Sequence, residues 1–223
     1  MSTCLVGSEM CIRDSFNSAL FFQKGKLIEK YKKQILPNYK EFDEKRYFKR
    51  GESHKVFEDK GFKFGISICE DIWDKDFAKE LFGRDIDLLL NLSASPYTID
   101  KKNLREKMLC EYFAKFKKPI VYVNQVGGQD ELVFDGSSLI IDSKDSVRRL
   151  KSFEIDETII EFSKKGISTT LQKEKISNVG DVADIYQALV LGTRDYVVKN
   201  NFKGILIGSS GGIDSALTAA IAY

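Results

Sequence analysis

The chain has 223 residues, 43% of them hydrophobic, enough for one large domain or one domain with part of a second. Its 35 basic and 33 acidic residues leave a net charge of +2, which gives no whole-chain attraction to nucleic acid or a membrane. The four cysteines (Cys4, Cys11, Cys69, Cys110) show no zinc spacing and read as reduced thiols of a cytoplasmic protein, and no apolar run is long enough to span a bilayer.

Residues 1–15 show no clear helix or strand period and are read as a leader foreign to the fold, without the pattern of a secretory signal. Asn17 to Phe22 and Lys26 to Tyr31 flank Gly25 and predict a β-hairpin. Gly61 to Ile68 alternates Phe62, Phe64, Ile66 and Ile68 with smaller or polar residues, a strand period. A short helix is expected from Asp74 to Phe82, closed by Gly83, followed by a buried strand at Asp87 to Leu92. Lys101 to Lys117 predicts a helix, with Leu104, Met108, Tyr112 and Phe116 spaced by four. Pro119 to Asn124, Leu139 to Ile141 and Arg148 to Ile155 predict three more strands. The basic runs Tyr31-Lys32-Lys33 and Lys115 to Lys118 read as solvated faces, and His54, the only histidine, as a surface polar residue.

Residues 161–179 are polar and read as an interdomain connection. A helix from Val182 to Lys199 and a strand from Gly204 to Ile207 complete the reading. The helix beginning after Gly212 runs to Tyr223 without the glycine or polar cap that usually closes a helix.

Two places carry chemistry. In Phe64-Gly-Ile-Ser-Ile-Cys69-Glu-Asp-Ile-Trp73 a cysteine stands at a strand end before a helical turn. There the main-chain amides favour a thiolate or an oxyanion, although a strand-end cysteine also fits as a small buried apolar residue. In Gly204-Ile-Leu-Ile-Gly208-Ser-Ser-Gly-Gly-Ile-Asp-Ser215 a strand runs through a glycine loop into a helix. Gly211 and Gly212 let main-chain amides approach phosphate oxygens, and Ser210 and Ser215 offer hydroxyls. Asp214 suits a nucleotide hydroxyl, a metal or the loop itself. The loop lacks the lysine of a Walker A sequence and is not GxGxxG.

The blocks Lys33-Gln-Ile-Leu-Pro-Asn-Tyr39, the Cys69 segment, Asn91-Leu-Ser-Ala-Ser95-Pro96 and Val123-Asn-Gln-Val-Gly-Gly128 through Gly136 resemble, in that order, the nitrilase-superfamily glutaminase domain of glutamine-dependent NAD⁺ synthetases. Ser210-Gly-Gly-Ile-Asp-Ser215 resembles the pyrophosphate loop of N-type ATP pyrophosphatases, and Val182 to Tyr196 resembles the helix that opens the NAD⁺ synthetase domain. Ser209 departs from that pattern, which usually has a larger apolar residue there. The resemblance implies an α/β fold, a nitrilase-like α/β/β/α sandwich over residues 16–161. A connection (162–180) would follow, then the start of a Rossmann-like adenine nucleotide alpha hydrolase domain (181–223).

It further implies that Cys69 is the nucleophile that attacks the glutamine side-chain amide, releasing ammonia through a thioester. Lys33 would be the lysine of a Glu–Lys–Cys triad and Glu44 a second, supporting carboxylate. Tyr39, Glu70, Ser95 and Lys101 would contact glutamine, although Tyr39 also fits as packing and Lys101 as a solvated lysine. Gly208, Ser209, Ser210, Gly211, Gly212, Ile213, Asp214 and Ser215 would bind ATP, with Mg²⁺ balancing the phosphate charge and Asp214 as its protein ligand. The reaction implied is ATP-dependent amidation of deamido-NAD⁺ in a homo-oligomer, with no nucleic acid or membrane partner. The triad base is expected before Phe16 and the deamido-NAD⁺ contacts beyond residue 223, so the chain alone is expected to be inactive. A stand-alone nitrilase-type amidase and an inactive binding piece are the alternatives; the first leaves the SGGIDS loop unexplained.

Overall fold

The computed structural model describes residues 4–11, 14–39, 41–175 and 182–223. The first three strands, β1 (Cys4–Cys11), β2 (Asp14–Gln23) and β3 (Lys26–Lys32), form an antiparallel sheet in that order. Lys24 and Gly25 turn the β2–β3 hairpin with φ of 51° and 75°, the left-handed pair that matches strand twist in a two-residue loop. β1 pairs with β2 over its whole length, from Cys4–Phe21 to Cys11–Asp14. Main-chain pairing thus makes a strand where the sequence shows no period.

A single helical turn, α1 (Glu44–Tyr47), leads to the hairpin of β4 (Val56–Asp59) and β5 (Phe62–Ile68). A 3₁₀ turn (Cys69–Trp73) and helix α2 (Lys75–Phe82) follow. Asp74 caps α2 by accepting from the Phe77 N–H at 2.8 Å, and Gly83 closes it. Next come β6 (Leu88–Ser93), α3 (Lys101–Phe116), β7 (Ile120–Asn124), and a hairpin of β8 (Val126–Gln129) and β9 (Leu132–Asp135). The remaining strands are β10 (Leu139–Ile141), β11 (Ser146–Arg149), β12 (Glu161–Ser163), β13 (Gly166–Ser168) and β14 (Glu174–Lys175), followed by helices α4 (Val182–Lys199) and α5 (Ile213–Ala222).

The main sheet has seven strands in the order β14-β11-β10-β7-β6-β5-β4. Only β5, β6 and β7 run parallel; they lie side by side between β10 and β4 with their carboxyl ends on one side. The sheet is layered as the sequence implies. Ala19, Phe21 and Tyr31 of the first sheet share a core with Phe57, Ile66 and Ile68 of the second, and the Phe21 and Phe57 rings lie 5.3 Å apart. α2 and α3 are part of the same core, with Phe82 and Phe116 stacked at 4.7 Å. Gly65 in β5 lies under Leu81 and Ile86, where a Cβ would come within 2.9 Å of Ile86.

Several expectations shift. The apolar row of α3 is not its deepest face, since Leu104 is exposed whereas Arg105, Glu106, Leu109 and Cys110 are buried. The two charged residues are buried because each has an ion-pair partner, Asp135 for Arg105 and Arg149 for Glu106. The strand expected from Arg148 to Ile155 ends at Arg149 and begins earlier, at Ser146; left-handed backbone at Phe153 (φ 60°) belongs to a turn. The polar connection contains the β12–β13 hairpin and the edge strand β14, because main-chain pairing is indifferent to side-chain polarity. Gly204 to Ile207 is not a strand: a strand needs a neighbour, and among the described residues none pairs with it. Tyr31 and Lys33 are buried, so the Tyr31-Lys32-Lys33 run is not a solvated face. His54 is also buried, its ring 4.5 Å from Phe77 and its Nε2 3.0 Å from Glu80 Oε2.

Candidate active site

The carboxyl edge of a parallel sheet is where loops diverge and leave room for a ligand. β5 ends there into Cys69, β6 into Ser95 and β7 at Asn124. Cys69 has φ of 44°, left-handed backbone that costs a non-glycine residue roughly 1–3 kcal/mol. The turn that imposes this conformation is pinned by Asp71. Its Oδ2 accepts from the Ile68 N–H at 2.9 Å and the Tyr31 hydroxyl at 2.7 Å, and its Oδ1 accepts from the N–H groups of Gln34 at 3.0 Å and Ile35 at 2.7 Å. One buried carboxylate thus fastens the Cys69 turn to the segment that follows Lys33. Burial holds the Asp71 carboxyl above the usual range, although these donors favour its charged form.

Lys33 is 1% exposed, an expensive place for an ammonium without a partner. Its Nζ lies 2.6 Å from Glu44 Oε1. Its main chain is held on both sides, the N–H donating to Asn17 O and the carbonyl accepting from Gly51 N, each at 2.8 Å. The second oxygen of Glu44, Oε2, is buried without a hydrogen-bond partner. Burial pushes the Cys69 thiol up, while the Lys33 ammonium pulls it down, Glu70 adds to the rise, and the Ala94 N–H and Lys101 oppose it. The net direction is upward, so the resting group is a thiol that needs a base to react.

Tyr39 donates to Glu70 Oε1 at 2.6 Å, and its phenol is raised by burial and by that carboxylate. Tyr39 and Lys101 line one open cleft of about 720 Å³ with Phe42, Trp73, Tyr97 and Leu104. Ser95 is 1% exposed and its Oγ has no hydrogen-bond partner. Lys33 therefore meets Glu44, Tyr39 meets Glu70, and the charges of Lys33, Glu70 and Lys101 all act on Cys69. Sequence reasoning missed Asp71, Asn124, Asp135 and Arg105. Asp71 had a signal: a second acidic residue, after Glu70, directly following the strand-end cysteine.

The glycine loop precedes α5. Gly211 has φ of 80°, which only glycine adopts without strain, and Gly212 is the helix N-cap. Ser215 Oγ donates to Gly212 O at 2.9 Å and lies 3.4 Å from Ser210 Oγ, so both hydroxyls sit at the helix start. Ser209, Ile213 and Asp214 are exposed beside them. Gly208 and Ser215 line an open cleft of about 550 Å³ with Leu189 and Thr193 of α4. α4 docks on the β8–β9 hairpin: Gly128 N donates to Asp195 Oδ2 at 2.8 Å, and Lys199 Nζ donates to Gly128 O at 2.5 Å. A Cβ on Gly128 would come within 3.0 Å of Gly192 Cα, so a larger residue would have to push α4 back by a few tenths of an ångström. Among the described residues no group of three His, Cys, Asp or Glu is placed to hold a metal, and no helix is long and apolar enough to cross a membrane.

Known proteins match this arrangement in two parts. The carbon-nitrogen hydrolase pattern matches residues 9–160, and the NAD synthase pattern matches residues 185–223. A glutamine-dependent NAD(+) synthetase of Acinetobacter baylyi is 44% identical over 93% of this chain, and one of Synechocystis is 38% identical over 93%. The chain spans 38% and 39% of the length of those relatives. The structure of an Acinetobacter baumannii glutamine-dependent NAD⁺ synthetase in complex with ADP superimposes over the whole chain with a TM-score of 0.91 and 41% identity, this chain covering 42% of it. A carbon-nitrogen hydrolase of Helicobacter pylori shares the fold over 68% of the chain at a TM-score of 0.61 and 21% identity, with 59% of its own length covered. The chain belongs to the carbon–nitrogen hydrolase family.

Proposed function

We propose that this chain carries the glutamine-hydrolysing site and the ATP-phosphate loop of a glutamine-dependent NAD⁺ synthetase. The observation that carries the reading is the presence, in one chain, of a buried Lys33 ammonium, paired with Glu44, that acts on Cys69, and an exposed SGGIDS loop at the start of α5. The domain reading places the glutaminase in residues 16–161 and the start of the synthetase region in 181–223.

In this reading a general base, the third member of the Glu–Lys–Cys triad, takes the Cys69 proton and the sulfur attacks the side-chain amide carbon of L-glutamine. Lys33 stands beside the developing oxyanion, whose charge its ammonium stabilises. Collapse of that intermediate breaks the C–N bond, the base returns the proton to the leaving nitrogen so that ammonia departs, and water, giving its proton to the same base, later hydrolyses the thioester to glutamate and restores the thiol. Tyr39, Glu70, Ser95 and Lys101 bind glutamine: the Glu70 carboxylate and the Lys101 ammonium suit the two charged ends of an amino acid, and the Ser95 hydroxyl suits its amide. Glu44 holds Lys33 and offers Oε2 to the reacting groups.

Gly208 to Ser215 bind ATP by main-chain amides, the α5 N-terminus and the two serine hydroxyls. The ADP named for the A. baumannii relative supports a nucleotide here. Asp214 fits as the single carboxylate of a Mg²⁺ held mainly by phosphate oxygens and water, the usual habit of that ion. The ammonia and the ATP serve amidation of deamido-NAD⁺, in the cytoplasm and in a homo-oligomer. Calorimetric titration with L-glutamine, and separately with Mg·ATP, tests the reading. The expected result is one site for each, the first lost in Ser95→Ala and the second in Ser210→Ala; a chain that takes up neither ligand contradicts it.

A further inference from the structure

Behind Cys69 lies a buried polar cluster that the reaction above does not use. Arg105 and Asp135 are each 1% exposed and paired through Arg105 Nη2 and Asp135 Oδ2 at 2.9 Å. The other carboxylate oxygen, Oδ1, accepts from Asn124 Nδ2 at 3.1 Å. The same Asn124 carboxamide grips Ser95 on both sides: its Oδ1 accepts from the Ser95 N–H at 2.9 Å, and its Nδ2 donates to the Ser95 carbonyl at 3.4 Å. Asn124 is itself held by its main-chain N–H, which donates to Ser138 Oγ at 3.0 Å.

This arrangement is costly. A buried ion pair gains little over apolar packing, and here Arg105 Nε and Nη1 make no well-formed hydrogen bond. Tyr122 Oη, whose ring lies 5.2 Å from the guanidinium, and Ser95 Oγ are buried against one another without a well-formed hydrogen bond. Both hydrogen bonds from Asn124 to Ser95 end on its main chain and do not engage its hydroxyl. The main-chain N–H of the preceding residue, Ala94, favours the charged form of the Cys69 thiol.

We infer that Asn124 is a positioning residue for the glutamine-hydrolysing site: its carboxamide, locked by the Arg105–Asp135 ion pair, sets the Ala94–Ser95 main chain so that one N–H meets the Cys69 sulfur and the Ser95 hydroxyl meets the substrate amide. The inference rests on the glutaminase reading for its substrate and on the geometry alone for the Ser95 grip. Asn124 touches neither substrate nor sulfur and acts only through Ser95 and Ala94.

The test labels Cys69 in the full chain with two electrophiles and reads the adduct by intact mass. Iodoacetamide reports the thiol, and a glutamine-derived diazoketone reports the thiol together with the glutamine pocket; neither requires turnover. In Asn124→Ala the pH midpoint of iodoacetamide labelling moves up, and diazoketone labelling slows about tenfold or more, the weight of a hydrogen bond to a charged group. Ser95→Ala slows the diazoketone as well, and the double variant is no slower than the slower single variant, because both act through one group. An unchanged iodoacetamide midpoint together with multiplying diazoketone effects overturns the inference, as does a loss of melting temperature alone.

If Asn124→Ala does not melt cooperatively, Asn124→Asp, of the same shape, takes its place. Labelling relative to the unsubstituted chain is then retained while the new carboxyl is protonated and donates to Asp135, and falls as it ionises beside Asp135. A ratio indifferent to pH overturns the inference. Should the unsubstituted chain react with the diazoketone no faster than with iodoacetamide, and without protection by L-glutamine, the glutaminase reading fails. The iodoacetamide midpoint still decides the role of Asn124.

Discussion

The Tyr31 hydroxyl donates to Asp71 Oδ2 over 2.7 Å, and both residues are fully buried. The bond joins the last strand of the first sheet to the turn that carries Cys69, and so brings Lys33, two residues after Tyr31, to the nucleophile. Asp71→Ala removes the acceptor of four hydrogen bonds in and around the core, and at 1–3 kcal/mol for an orphaned group the loss of stability is at least about 3 kcal/mol. Denaturant unfolding checks it. Tyr31→Phe removes one of these bonds and costs about 1 kcal/mol.

Lys33 is the charge that most strongly opposes the upward push of burial on Cys69. Lys33→Met keeps the length and apolar stem of the side chain and removes the ammonium. The Cys69 thiol then moves further up, and its alkylation at neutral pH slows by about tenfold for each unit of that rise. Rates of iodoacetamide labelling against pH measure the shift. A faster reaction contradicts the placement of Lys33.

Cys110 is buried on α3 and its thiol is pushed up to about 11 from an ordinary 9.0. The folded pKa is the higher one, so the unfolded chain releases this proton first. The contribution to stability is full below pH 9 and is lost as pH rises through about 11. Stability measured from pH 8 to 11 therefore falls more steeply in the unsubstituted chain than in Cys110→Ala. Equal slopes contradict the burial of this thiol.

Asp195 ties α4 to the β8–β9 hairpin through the Gly128 N–H, and Lys199 closes the other side of the same glycine. Asp195→Ala frees that amide. Hydrogen exchange at Gly128 is expected to speed by at least about tenfold, with a global loss of about 1–2 kcal/mol. Exchange that is unchanged at Gly128 and faster elsewhere rejects this contact as the tie between the two regions.

Most of the fold was legible from local pattern. The β2–β3 hairpin follows from its glycine turn, α2 from Asp74 and Gly83, and the parallel strands from short apolar runs or alternation, whereas β4, the partner of β5, was not foreseen. The strand-end position of Cys69 and the glycine loop before α5 were equally plain. What escaped was set by long-range pairing. β1 and β14 are strands because a neighbouring main chain meets them, whereas Gly204 to Ile207 has none among the described residues. α3 turns Arg105 and Glu106 inward because Asp135 and Arg149, distant in sequence, wait there. The same limit hid Asn124, whose role depends on Ser95 at the end of another strand.

The central claim is that Cys69 reacts inside a pocket built for glutamine. The direct measurement is the rate of Cys69 labelling by a glutamine-derived diazoketone as its concentration rises, with and without L-glutamine. The account predicts a rate that saturates, an adduct confined to Cys69, and competitive protection by L-glutamine. A rate that climbs without limit, spreads equally to Cys110, and ignores L-glutamine would contradict it.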